Sequence, residues 1–272
     1  MSVWLVLLIL VINLSLHHNV THITESQYRI KNNSISLSMN SNTGIDEMNQ
    51  RSKKNKNLKL TTKKTFLWHP IQTAHGPLYI PYLNKIYDTI DKALKAYPRT
   101  MGLRVDLRFP KLGAKEECGN VMTNFIRSLQ SQIDYSERRK KREGVRVHPC
   151  TVRYVWVKER STSLVDHYHL LLLFNKDRFN WTGKTKDQHD NLGSFIVEAW
   201  ARAIGVDYDE ANGLVYFSKD KESDRIVIHR LNRYSDDFDD DFDRLFKHVS
   251  YLAKEETKHF GGRNNNIGSS QR

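Results

Sequence analysis

Two histidines, His167 and His169, stand two residues apart at the head of the apolar run HYHLLLLF. On an extended strand, residues i and i+2 face the same side, so both imidazoles can grip one cation. A third donor is available if the strand ending at Glu159 turns back across Arg160 to Asp166 and pairs with the histidine strand. Glu159 then converges only if the face it shares with Arg153, Val155 and Val157 is also the histidine face. Two imidazoles and one carboxylate leave coordination positions open, and such a mixed N/O set suits Mn²⁺ well and Mg²⁺ less well. The chemistry expected is Lewis-acid activation of a phosphate. Taken alone the pair is a weak signal, because histidines at this spacing are usually satisfied by core or surface partners.

The second candidate is a phenol. Phe242, Leu245, Phe246, Val249, Leu252 and Ala253 form an apolar stripe at helical spacing, which predicts a helix from about Asp239 to Lys258. Tyr251 falls about 160° from the centre of that stripe, on the side of Lys247, Lys254 and Lys258. A tyrosine with an ordinary pKa of about 10 is a poor nucleophile and needs a base, a polarised target or nearby cations. Lys254, three residues on, is placed to orient a phosphate or to steady charge on an attacking or leaving oxygen. Lys247 and Lys258 are candidates for nucleic-acid backbone contacts. The bland reading of this face is a solvated helix surface with an incidental tyrosine.

These residues need a scaffold. Leu103 to Phe109 alternates strictly, with Leu103, Val105, Leu107 and Phe109 on one face and Arg104, Asp106 and Arg108 on the other. Arg104 and Arg108 can track a DNA backbone or sit in a salt-bridged sheet face with Asp106. Helices are expected over 82–97, stopped by Pro98, over 120–135, and over 192–203, stopped by Gly205. Strands are expected over 152–159 and 167–174, the latter apolar on both sides as a central strand is. Leu214 to Phe217 and Arg225 to His229 read as a hairpin. The order βαββαβ with appended elements predicts an α+β, ferredoxin-like sandwich, an antiparallel sheet with helices packed on it.

Across 272 residues, 43 Lys and Arg against 31 Asp and Glu leave a formal charge of +12, which favours a polyanionic partner. Charged residues at 27% and hydrophobic ones at 39% exclude a wholly disordered or fibrous chain. Cys118 and Cys150 make neither a metal-ligand spacing nor a disulfide framework, which fits a cytoplasmic protein. The apolar run Val3 to Leu16 is short for a membrane span, which needs about 20 residues, and a membrane location is not expected. Residues 1–64 are predicted to be this apolar segment followed by a disordered basic linker. Residues 65–100 are a helical lead-in, and 101–272 the main domain. The acidic run from Asp236 to Asp243 reads as helix capping.

At this point a family likeness appears. The strand LRVDLRFP, the pair formed by Glu159 and His167-x-His169, and the Tyr251-x-x-Lys254 motif together resemble HUH endonucleases of the rolling-circle type. More closely, YPRTMGLRVDLRFP, VKERSTSLVDHYHLLLLF and SYLAKEETK resemble the inovirus replication protein family with the YagK/YfjJ C-terminal domain. The likeness spans about Tyr82 to Arg272. It implies a divalent ion on His167 and His169, for which Glu159 is the candidate third ligand and Mn or Mg the ion the donor set suits, no small-molecule cofactor, and Tyr251 as the residue joined to a DNA 5′ phosphate. The substrate implied is single-stranded DNA at a replication origin, with a host helicase and polymerase as further partners. A non-catalytic nucleic-acid-binding regulator of a mobile element is the alternative.

Overall fold

In chain order the elements are β1 (Leu60–Thr61), β2 (Thr65–Phe66), β3 (His69–Pro70), β4 (Leu78–Tyr79), α1 (Ile80–Ala96), β5 (Arg99–Arg108) and α2 (Val121–Arg142). They continue with β6 (Arg153–Arg160), β7 (Asp166–Asn175), α3 (Leu192–Ile204), α4 (Tyr208–Asn212), β8 (Val215–Phe217), β9 (Ile228–Asn232), α5 (Phe238–Ser250) and β10 (Ile267–Ser269). This computed structural model describes residues 50–110, 120–160, 166–185, 190–258, 260 and 266–271. The apolar run Val3 to Leu16, most of the linker and Cys118 lie outside the described residues.

Alternation of apolar and polar residues produces the main sheet, whose strand order is β10-β6-β7-β5-β8, with β9 also on β5. Every pairing in it is antiparallel. Met101, Leu103, Val105 and Leu107 of β5 join Tyr168, Leu170, Leu172 and Phe174 of β7 on one face, under α2 and α3. Val155, Val157, Leu171 and Leu173 fill the other face, under α1 and α5. Strand β7 is therefore buried on both sides, as its continuous apolar run requires. Gly102 lets α5 approach the sheet, because a Cβ there would lie 3.1 Å from Leu245 Cδ1. Among the described residues, no helix is long and apolar enough to cross a membrane.

Three departures from the sequence reading matter for the site. First, β8 and β9 do not make the expected hairpin; they lie end to end along one edge of β5, with Val105 opposite Phe217 and Leu103 opposite Ile228. The polar run between them turns back on itself, with Lys219 bridged antiparallel to Ile226. It leaves as a detour closed at its neck by Val227 N–H donating to the Ser218 carbonyl at 2.8 Å.

Second, α5 stops at Ser250 rather than running to Lys258, and Tyr251–Ala253 form one 3₁₀ turn. The buried Ser250 hydroxyl donates to the Lys247 carbonyl at 2.8 Å and accepts the Gln72 N–H at 2.9 Å, which ties the helix end to the segment before β4. Third, the segment 51–64 is anchored at Ser52 and at Leu60–Thr61, which are buried while most of its other residues are exposed. Leu60 and Thr61 pair with Tyr79 and Leu78, and the buried Ser52 hydroxyl meets both Tyr79 Oη and the Glu255 carboxylate. Lys54 Nζ donates to the carbonyls of Glu255 and Glu256. Charge composition alone does not register such tethers.

Two further histidines meet at the edge of the same sheet face. His229 Nε2 and His248 Nδ1 are 2.9 Å apart, and His248 Nε2 lies 3.0 Å from Ser218 Oγ. Burial first, then their mutual proximity with Arg244, pushes His229 down to about 4. Burial first, then Arg104, does the same to His248.

Relative to a chain beginning at Arg51, one beginning at Thr65 should melt about 5–15 °C lower, having lost Leu60 burial and the Ser52 bonds. Equal melting of the two would remove the tether. The histidine pair predicts acid sensitivity. Both folded pKa values lie below the ordinary 6.5, so the unfolded chain binds the extra protons, and stability falls as pH drops from about 6.5 towards 4. One such histidine loses roughly 2 kcal/mol by pH 5. His169, whose pKa is raised, acts in the opposite sense, but only above 6.5. In urea titrations, the double variant H229Q/H248Q should flatten the pH 5–6.5 slope; an unchanged slope would refute the assignment.

Candidate active site

Register brings the sequence candidates together. Glu159 of β6 lies opposite His167 of β7, and Asp106 of β5 lies opposite His169. All four side chains rise from the face covered by α1 and α5. One ligand atom from each of Glu159, His167 and His169 falls within 4.8 Å of the others. His169 Nε2 is 3.2 Å from Glu159 Oε2, while its Nδ1 is 2.6 Å from Asp106 Oδ1. The two histidine rings are edge to face at 4.8 Å. Donors about 2.0–2.2 Å from an ion are separated by roughly 3–4 Å, so this set fits a divalent cation after a small contraction. Asp106 stands where an outer carboxylate would fix the tautomer of His169 if that imidazole held a metal.

The centre is also a network of buried charge. Glu159 is 1% exposed, and two ammonium groups neutralise it: Lys258 on Oε1 and Lys254 at 3.4 Å from Oε2. Burial favours the neutral acid, but the His169 hydrogen bond and the Lys258 charge override it and hold Glu159 well below the usual carboxylate range. Asp106 is likewise lowered, burial being outweighed by His169. Burial pulls Lys258 down to about 8 in spite of Glu159. It disfavours the His169 imidazolium too, yet hydrogen bonds to Asp106 and Glu159 raise that pKa. His167 has its pKa lowered, by burial and then by His169. The two flanking carboxylates thus shift His169 towards its charged form, and a cation bound there would compete with the proton.

Tyr251 sits in the 3₁₀ turn beside this cluster. Its ring meets His169 edge to face at 6.3 Å and His75 at 5.3 Å. Lys254 Nζ donates to the phenol oxygen. The Arg104 guanidinium lies over the Tyr251 ring, with Cζ 4.6 Å from its centre. Arg104 Nε approaches Asp106 only to 3.7 Å and makes no hydrogen bond among the described residues.

Glu159, His167, His169, Tyr251 and Lys254 are therefore gathered at one place, and Arg104 joins them. Arg108 lies at the rim. Lys247 is exposed on α5. Lys258 corrects the sequence reading: expected on an exposed basic helix face, it is fully buried as the counter-ion of Glu159. The physical reason is the early end of α5, which turns the last two lysines inward. Sequence reasoning missed Asp106 as a partner of His169 and missed His75. Asp106 carried a signal, its place on the polar side of an alternating strand, but the register with β7 was needed to use it.

The family profile described as the YagK/YfjJ C-terminal domain matches residues 61–270. The chain is 34% identical over 208 residues to the Escherichia coli K12 protein YagK, described as uncharacterized, covering 74% of this chain and 97% of that protein. It is 27% identical over 200 residues to YfjJ of the same strain, also described as uncharacterized, covering 70% and 93%. No solved structure matches.

If Asp106 orients a ligand, Asp106→Asn should weaken Mn²⁺ binding by about 10- to 100-fold with little change in the fold. Calorimetric titration of both proteins measures this. Equal Mn²⁺ affinities would assign Asp106 to charge balance alone.

Proposed function

We propose, for a chain that belongs to the YagK/YfjJ C-terminal domain family, the function of a metal-dependent nickase and strand transferase. It would act on single-stranded DNA and begin rolling-circle replication of a phage or prophage. The observation that carries the reading is the meeting of Tyr251 with the Glu159–His167–His169 cluster, its ring 6.3 Å from that of His169. A binding surface requires no such meeting. The strand order, with β8 and β9 beside β5, then β7, then β6, also agrees with a ferredoxin-like sandwich of the HUH type.

In the reaction, Tyr251 Oη bonds to phosphorus while the bond from phosphorus to the 3′ oxygen breaks. The phenol gives its proton to solvent, and the departing 3′ oxygen takes one up. The product is a 5′-phosphotyrosyl adduct and a free 3′ hydroxyl that can prime a polymerase. A bound divalent ion supplies Lewis-acid activation of the phosphate. His167, His169 and Glu159 would hold it, with Asp106 fixing the His169 ring. Lys254 positions the phenol oxygen and offsets negative charge there. Arg104 lies within reach of a phosphate placed between Tyr251 and Asp106.

One observation favours the second reading, a non-catalytic nucleic-acid-binding regulator. Glu159 already has Lys258 and Lys254 as partners, so the cluster can be stable without an ion.

Tyr251→Phe should abolish the covalent adduct while leaving single-strand binding largely intact, since only the nucleophilic oxygen is removed. His167→Ala should retain residual cleavage that rises with Mn²⁺ concentration. Labelled single-stranded DNA, Mn²⁺ and a denaturing gel separate the outcomes. An adduct persisting with Tyr251→Phe would name another nucleophile, and no adduct from the natural protein on any origin-containing strand would favour the regulator.

A further inference from the structure

We infer that Tyr216 and Arg108 form a stacking subsite for a nucleobase of single-stranded DNA, next to the metal cluster. The inference rests on the function proposed above and specifies how the strand would be held. Asp106 lies opposite His169 on one side and opposite Tyr216 on the other. Tyr216 therefore shares a sheet face with Asp106, Arg108, His167 and His169. Two adjacent rows of side chains thus cross this face, one of Glu159, His167 and Arg108 and the other of Val157, His169, Asp106 and Tyr216, the second spanning four strands.

The end of the second row is built differently from its middle. Tyr216 is 45% exposed, although its neighbour Val215 is buried. The Arg108 guanidinium lies over the Tyr216 ring, with Cζ 4.4 Å from the centre. The main chain of Arg108 is held in place, its N–H donating to the Leu214 carbonyl at 3.0 Å and its carbonyl accepting the Trp200 indole N–H at 2.8 Å. A half-exposed aromatic ring with a cation against it is what single strands use: bases stack on the ring, and the cation meets the backbone.

The spacing agrees with this use. Strands about 4.8 Å apart put Tyr216 about 10 Å across the sheet from the histidines. A strand covers that in at most about three nucleotides at its stacked rise of about 3.4 Å. A phosphate at the cluster and a base on Tyr216 therefore belong to one short stretch of DNA. Arg104 and Arg108, both on this face, give the path its positive charge.

The test uses the full chain without divalent metal and 20-nucleotide mixed-sequence single strands carrying one 2-aminopurine at successive positions. Tyr216→Ala should weaken binding about 5- to 30-fold, while Tyr216→Phe should bind as the natural protein does. Stacking quenches 2-aminopurine, so one position should be quenched by the natural protein and by Tyr216→Phe, but not by Tyr216→Ala. Tyr216→Leu keeps apolar bulk without a π face and should behave like Tyr216→Ala, which covers the case in which the alanine variant folds poorly. The subsite alone is overturned if Tyr216→Leu binds and quenches like the natural protein while that protein still forms the Tyr251 adduct. If the natural protein binds no single strands, the proposed function falls and the subsite falls with it.

Discussion

A carboxylate removed from water must find compensating charge, and Glu159 sets that requirement for the whole site. Leaving it buried and unpaired would cost several kcal/mol, so its partners are effectively obligatory. Lys254 and Lys258 meet the demand, and both come from the stretch after α5. That stretch must then run beside β6, and Tyr251, at its start, is carried next to His169. The position of the candidate nucleophile is thus a consequence of neutralising one acid.

The same stretch is restrained from several sides. The main chain of Lys254 bridges to Leu78, and Glu255 N–H donates to the Pro77 carbonyl at 3.0 Å. Ser52 and Lys54 hold Glu255 and Glu256 from the amino-terminal side. A turn of only three residues, Tyr251–Ala253, is a weak element by itself. Its order depends on these tethers, which lie in a segment that composition describes as a linker.

Sequence made the periodic elements readable. The strict alternation of Leu103 to Phe109 and the unbroken apolar run after His169 each correspond to a sheet strand, and the Phe242-to-Val249 stripe corresponds to α5. The convergence of Glu159 with the histidines depended on register and could be stated only as a condition. Helical periodicity also carried on past Ser250, because Leu252 and Ala253 remain buried in the 3₁₀ turn and keep the stripe apolar. An apolar pattern cannot distinguish a continuing helix from a turn that buries the same residues. For the same reason Lys258 looked solvated, since nothing local marks a lysine whose partner lies 99 residues earlier.

The tether from Ser52 to Glu255 closes a loop of 203 residues. During synthesis the chain can form α1 and much of the sheet well before residues 254–258 exist, so the face that carries Glu159 and the histidines is laid down without its lysines or its tyrosine turn. Glu159 in such a partial chain has no ammonium partner and retains water. The dry, charge-balanced centre appears late in assembly, as a closing event that joins the beginning of the domain to its far end. A nascent chain therefore passes through a stage in which the scaffold is present and the charge-balanced cluster is not.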